Sequence, residues 1–344
     1  MNSTSIVGDA IPLLKKTPRP VFVVGMNGSG TSMLADCLGQ HPELFAIYFE
    51  TKIFPYFLQN ISRYGDLNND KNFLMLWKAV LRTPVMTQIN GWIPLDLPNN
   101  WQQFPRDFSS IIDAVFTSIA HKQKKQRWLE KTPQYIQHLE LLNKSFPEAK
   151  FIHIVRDGRD CAASFHRRWR RSPEYTIYRW KRVLHEGRLQ STSLGGKYFE
   201  LAYEDITTNP EKWLRQICDF IDLPFNEAVL RSNQPHKVGI GKGTPGPIQP
   251  NSQKWKSYFD KKQIAALEEI AGASLCANGY EIMYEKGDKN PSSIQKILWK
   301  WRDGLRQFYD KSLRKLTGKS EKIPWSRILN RVLTSIKQSR TNRF

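Results

Sequence analysis

The string Gly25-Met-Asn-Gly-Ser-Gly30, followed at once by Thr31 and Ser32, has the residue types of a phosphate cradle. Glycines let the backbone turn tightly against an anion, and a helix opening behind them aims unpaired N–H groups at it. Ser29, Thr31 and Ser32 add hydroxyls. A loop that serves ATP or GTP carries Lys directly after the second glycine, where it reaches the terminal phosphates. Thr31 holds that place here, so the loop suits phosphate but not kinase chemistry. A second set lies in Val155-Arg-Asp-Gly-Arg-Asp-Cys-Ala-Ala-Ser164. An arginine at a strand end offers its planar fork to phosphate, and Ser164 follows two helical turns later. Two such sites on one sheet point to a nucleotide with phosphates at both ends of its ribose.

Those residues need strands and helices to hold them. Val21 to Val24 is an apolar run that predicts a buried strand, with a helix over Ser32 to Leu38. Residues 54–116 read as helical and aromatic-rich, interrupted by a loop over 90–100. Arg127 to Lys131 predicts a short strand ending in the turn at Thr132-Pro133, with a helix from Gln134 to about Phe146. Ala149 to Arg156 and Tyr198 to Tyr203 predict two further strands, and Glu211 to Ile221 an amphipathic helix. Apolar strands alternating with helices favour a parallel sheet covered on both faces. The fold expected is therefore a P-loop-like, three-layer α/β/α domain over 20–285, after a polar lead over 1–19 and before a basic helical extension over 286–344. Ligands of such sheets sit beyond the carboxyl ends of the strands, where all these turns fall. The Gly/Pro-rich stretch 239–250 reads as a loop.

Composition narrows the class. A hydrophobic share of 40% over 344 residues supports a globular core. No apolar run is long enough to span a bilayer, and Met1-Asn-Ser-Thr-Ser-Ile6 does not resemble a signal peptide, so a cytoplasmic location is expected. Cys37, Cys161, Cys218 and Cys276 are widely spaced, with no Cys-x-x-Cys pair, and read as reduced thiols. The net charge of +20 favours anionic partners.

On the two phosphate motifs and their separation, the chain resembles the sulfotransferases that use 3′-phosphoadenosine 5′-phosphosulfate (PAPS) and release adenosine 3′,5′-bisphosphate (PAP). The Gly-Ser-Gly-Thr-Ser loop is similar to that family's 5′-phosphosulfate loop, and Phe151 to Asp160 with Ser164 to its 3′-phosphate motif. Glu130-Lys-Thr-Pro133 and Tyr203-Glu-Asp205 look most like its tyrosylprotein and glycan branches. Lys242-Gly-Thr-Pro-Gly246, followed by Trp255-Lys-Ser-Tyr-Phe259, is similar to a segment of cytosolic members.

The resemblance implies that Asn27, Gly28, Ser29, Gly30, Thr31 and Ser32 hold the phosphosulfate, and that Arg156, Ser164, Lys242 and Gly243 hold the 3′-phosphate. Tyr203 would support the nucleotide, and Lys131 would neutralise charge on the bridging oxygen. Glu50, in a Glu-Thr-Lys-x-x-Pro string, would be the general base, with Lys52 near the acceptor; His41 is a weaker candidate. In-line transfer of this kind requires no metal ion. Many members carry Arg or Lys where this chain has Gly28, which also admits a non-catalytic nucleotide-binding or scaffold member. A P-loop nucleotide kinase is a third alternative, weakened by the absent lysine.

The tail is a separate matter. Residues 286–344 hold 16 Lys and Arg against 4 Asp and Glu, which is +12 of the chain's +20. Apolar residues recur at helical spacing at Ile294, Ile297, Leu298, Trp301, Leu305 and Phe308, and again at Ile328, Val332, Leu333 and Ile336. A basic amphipathic helix can lie on anionic lipid, so peripheral membrane contact is one expectation and packing on the domain the other. Nucleic acid is not expected, because no reading module accompanies the charge. The acceptor is left open by the sequence; the clusters at Arg167-Arg168, Arg170-Arg171 and Lys122 to Lys125 would suit an acidic one.

Overall fold

In the computed structural model, residues 19–316 are described, except 48, 92, 94, 96, 234–244 and 285. The expected lead over 1–18, Lys242, Gly243 and the apolar repeat from Ile328 to Ile336 lie outside the described residues. The chain divides into two compact units, Met1–Ser292 and Ser293–Phe344.

The first unit is built on five parallel strands: β1 (Val21–Gly25), β2 (Leu44–Ile47), β3 (Arg127–Lys131), β4 (Lys150–Val155) and β5 (Tyr198–Ala202), in the order β2-β3-β1-β4-β5. Every residue of β1, β2 and β3 is buried. That burial explains why β1 and β2 are continuous apolar runs and not alternating ones.

The pleat sorts the core into two halves. Val21 and Val23 face an aliphatic layer with Leu34 and Leu38 of α1 (Thr31–Gly39), Ile152, Ile154 and Leu201. Phe22 points the other way, into rings of Phe54, Trp128, Phe146 and Phe151 at centroid distances of 5.4 to 5.8 Å. Over this aromatic side lie α2 (Phe54–Gln59), α3 (Asp70–Leu81), α4 (Pro84–Asn90) and α5 (Phe108–Lys122), the helical segment expected between 54 and 116. Phe54 stands edge-on to Phe108, and Phe57 stacks on Phe108.

Two expectations need correction, and one strand was not foreseen. The segment 44–47 is a strand, β2, that the apolar pattern did not announce; it pairs with β3 from Leu44↔Arg127 to Ile47↔Glu130. The stretch from Pro133 begins as a 3₁₀ turn to His138, and α6 occupies only Leu139–Ser145, because Pro133 caps the end of β3 and tightens the turn. Part of the Gly/Pro-rich stretch, Pro245–Pro247, is a short strand antiparallel to Arg231–Asn233.

The remaining elements of this unit are α7 (Gly158–Trp169), α8 (Pro173–Ser191), α9 (Tyr203–Thr208), α10 (Pro210–Phe220), α11 (Trp255–Tyr258) and α12 (Lys261–Ala277). The second unit contributes α13 (Ser293–Leu316). Among the described residues, no helix is long and apolar enough to cross a membrane.

Candidate active site

The central strand carries the phosphate loop. β1 pairs on one side with β3, in the register Val23↔Lys131, and on the other with β4, where Gly25 lies opposite Ile154. The loop therefore leaves the sheet between the strand that ends in Lys131 and the strand that runs into Arg156. The chain goes from β1 outward past the place of β3 to β2, and later continues from β4 to β5 on the other side. This reversal at β1 is the point where open α/β sheets bind ligands.

The loop's geometry answers the absence of a cation at Gly28. Gly28 has φ +91° and Gly30 φ +106°, backbone states that side-chain-bearing residues rarely adopt. A Cβ on Gly30 would also stand 2.4 Å from the Tyr203 ring. Gly30 is the residue before α1, and no side chain caps that helix, so its first N–H groups face the loop's mouth unengaged by a cap. The Ser29 hydroxyl is buried without a partner. Uncapped amides beside an orphaned hydroxyl fit a bound phosphate or sulfate. Positive charge reaches the loop from another strand: Arg156 Nη1 donates to the Gly28 carbonyl at 3.0 Å.

Arg156 follows β4 and lies over the Tyr203 ring at 4.3 Å. Its other arm donates to the Asn251 carbonyl, and Asp160 Oδ2 lies 3.7 Å away. The Nε group is buried without a partner. Trp180 of α8 fixes the backbone here, donating from Nε1 to the Arg156 carbonyl at 2.9 Å. Arg159, three residues on, is structural: it is buried between Asp157 and Glu268 and stacks over Trp255 at 3.7 Å.

A pocket opens between α7 and the chain before α11, lined by Arg156, Ser164, Arg167, Arg168, Asn251 and Lys254. Burial, then the neighbouring Arg167 and Arg156 charges, push the Arg168 guanidinium below its ordinary value. Four cations against one carboxylate, Asp160, around one pocket call for an anion. Arg167, Arg168 and Lys254 were not among the expected nucleotide residues. The signal was present: three and four residues beyond Ser164, the two arginines share its helix face.

On the other side of β1, Lys131 ends β3 almost fully buried. Glu50 follows β2, and its Oε1 lies 3.9 Å from Lys131 Nζ and 3.4 Å from Asn27 Nδ2 in the phosphate loop. Lys52 Nζ contacts Glu50 Oε2 at 2.7 Å, with its backbone in the left-handed region at φ +56°. The sheet thus gathers Asn27, Glu50, Lys52 and Lys131 from three strand ends. Near Lys131, burial raises the Asp36 carboxyl on α1 to about 7, against the opposing pull of the Lys131 charge. His41 and His153 lie apart: His41 bridges the Glu43 amide and the Pro224 carbonyl, and His153 is bonded to Tyr198 and Glu200.

Fold and site together define a P-loop-like α/β protein with an anion-binding loop at β1, flanked by a cationic pocket on the β4 side and a lysine–carboxylate pair on the β3 side. The chain belongs to the sulfotransferase family, whose model matches residues 20–227. Two relatives are similar at 27% identity. One, the protein-tyrosine sulfotransferase of Drosophila melanogaster, aligns with 76% of this chain and 51% of its own length. The other, protein-tyrosine sulfotransferase 1 of Danio rerio, aligns with 73% of this chain and 65% of its own. The chain thus spans less than two thirds of either relative. Among solved structures, the sulfotransferase domain of the Synechococcus PCC 7002 olefin synthase is similar at 23% identity and a TM-score of 0.46, over 77% of this chain and 98% of that one.

Proposed function

We propose that this chain moves a sulfuryl group from PAPS to an acceptor hydroxyl, and that the acceptor is a tyrosine in an acidic protein segment. The observation that carries the reading is the Glu50 carboxylate, held within reach of Lys131 and of Asn27 in the phosphate loop. A base, a buried cation and an anion cradle meet there at the ends of three strands. The names of the two relatives and the surplus of Lys and Arg support the tyrosyl, acidic choice.

PAPS, when bound, supplies the sulfuryl group and a bisphosphate leaving group. The amides and hydroxyls from Gly28 to Ser32 would hold its 5′ end, and Arg156, Ser164, Arg168 and Lys254 its 3′-phosphate. Lys131 presents positive charge where negative charge develops on the departing oxygen, a preorganised stabilisation that requires no rearrangement. Glu50 takes the acceptor proton, and Lys52 holds that carboxylate from the solvent side. Lys242 and Gly243 are proposed as further 3′-phosphate contacts on sequence alone.

The test is transfer of labelled sulfate from PAPS to an acidic tyrosyl peptide, with Glu50→Gln and Lys131→Ala as controls. Transfer that is lost in both variants supports the reading. PAP binding without transfer by the wild type would favour a non-catalytic member, and stabilisation by ATP but not PAP would favour a kinase.

A separate observation concerns the C-terminal unit. On α13 the side chains of Ile294, Ile297, Leu298, Trp301 and Leu305 are 58 to 70% exposed. At 100° per residue they form one stripe, with Lys300 on one flank and Arg302 and Arg306 on the other. Apolar stripe and basic flanks together match an anionic lipid surface, and we propose that as its partner. The protein should sediment with vesicles containing phosphatidylserine and not with pure phosphatidylcholine, and Trp301→Asp should abolish sedimentation. Equal binding to both vesicles, or no effect of the variant, would sink this proposal.

A further inference from the structure

Glu130 stands one residue before Lys131, and its side chain takes the opposite direction out of the strand. It is fully buried. Its Oε1 accepts three hydrogen bonds: from the Thr51 amide at 3.3 Å, the Thr51 hydroxyl at 3.0 Å and the Thr132 hydroxyl at 2.5 Å. The Thr51 hydroxyl, having donated its proton there, accepts from Tyr135 O–H at 2.8 Å, and the same phenol oxygen accepts from the Phe54 amide at 3.3 Å. A directed chain thus runs from the Phe54 N–H through Tyr135 and Thr51 to the carboxylate. Hydrogen bonds arranged head to tail polarise one another and stiffen what they join.

What they join is the segment that carries Glu50. Thr51 is its direct neighbour, and Lys52 follows in a left-handed backbone state that a side-chain-bearing residue adopts only when its surroundings impose it. We infer that Glu130 is a positioning residue for Glu50: through Thr51 it fixes the turn that sets the Glu50 carboxylate against Lys131. This rests on the reading of Glu50 as the base. Three donors converge on one oxygen, and a charged carboxylate accepts them more strongly than a neutral amide would. Packing alone does not explain an acid in this place, since burial pushes its pKa up to about 7 and an apolar residue would avoid that cost. The charged or titratable groups around it are Lys131 and Tyr135, the latter raised by the same burial.

The experiment has two independent readouts. The first is kcat for sulfation of a tyrosyl peptide, with PAP affinity measured in parallel. Glu130→Gln should lower kcat about 10- to 100-fold, the loss expected from a slightly misplaced group, and leave PAP affinity within about twofold. In a Glu50→Gln background the same change should cost nothing further, because residues that act through one another are not additive. The second readout is amide hydrogen exchange over residues 49–55. Glu130→Ala should remove protection there and leave 21–34 as protected as before. Unchanged kcat and exchange in Glu130→Gln, or a full multiplicative loss in the Glu50→Gln background, would overturn the inference. If Glu50→Gln proves as active as wild type, the base assignment is what has failed. Exchange over 49–55 then decides the clamp alone: lost protection keeps it, unchanged protection rejects it. Should the Glu130 variants not fold, Thr51→Val cuts the same hydrogen-bond chain with little change in volume and carries the same expected outcomes.

Discussion

The two sides of the central strand are organised differently. On the β4 side, the anion pocket is local: Arg156 and Ser164 come from one turn and the helix behind it, and Arg167 and Arg168 share that helix. On the β3 side, the lysine–carboxylate pair is assembled from strand ends far apart in the sequence, and Thr51, the neighbour of Glu50, is hydrogen-bonded to Glu130 and Tyr135. The proposed binding falls to a contiguous motif with spare cations, and the proposed chemistry to a few groups set by long-range contacts. Redundant charge tolerates loss, and a single positioned group does not.

The sharpest way to break this contrast is on the β3 side. Lys131→Ala and Glu50→Gln should each lower sulfate transfer by about two to three orders of magnitude, while isothermal titration finds PAP affinity nearly unchanged. A large loss of PAP affinity in either would merge the two sides into one.

Next in size is the β4 side. Arg156→Ala should weaken PAP binding about 10- to 100-fold, the worth of a charge-assisted pair at about 1.5–3 kcal/mol, with transfer at saturating PAPS reduced far less. Arg168→Ala should weaken it by less than Arg156→Ala, since Arg156 also braces the loop through the Gly28 and Asn251 carbonyls.

A smaller effect is expected at Gly28. Gly28→Lys adds a cation to the loop, but places it where φ is +91°. Stability should fall by about 1–2 kcal/mol, read by urea unfolding, with no gain in transfer. A more active variant would show that the loop lacks a charge and that Arg156 does not supply it.

The last test concerns the pH dependence of stability. The folded-state pKa values of Glu130 and Asp36 are raised by burial to about 7, above their ordinary values of 4.5 and 3.8. The folded protein therefore holds protons there that the unfolded chain has released, and stability falls as pH rises from about 4 through 7. Glu130→Gln should flatten part of that decline in thermal unfolding at pH 5, 6, 7 and 8. An unchanged slope would mean that Glu130 is already ionised at pH 5.

The contrast also explains what the sequence disclosed. β1 and β4 stand out as apolar runs that end in turn residues, and β3 leads into the Thr132-Pro133 turn, so these strands could be read directly; the two phosphate motifs are contiguous in the chain and could be proposed from it. β2 could not: four apolar residues after Pro42-Glu43 carry too little pattern to separate strand from helix. Glu130 was visible within Glu-Lys-Thr-Pro, yet its partners Thr51 and Tyr135 lie on other elements, and only the folded chain brings them together. Arg167, Arg168 and Lys254 of the β4 pocket were not singled out for the nucleotide for a simpler reason. A run of arginines looks alike whether it faces water or lines a pocket, and Lys254 enters from a distant segment.

The Arg156 guanidinium has one further consequence. Its two arms reach the Gly28 carbonyl on one wall and the Asn251 carbonyl on the other. It works as a crossbar between two loop segments as well as a charge. A lysine at this position would keep the charge but, with a single ammonium at the end of a flexible stem, could not brace both walls in one plane. Arg156→Lys is therefore the variant that separates mechanical from electrostatic contributions to nucleotide capture.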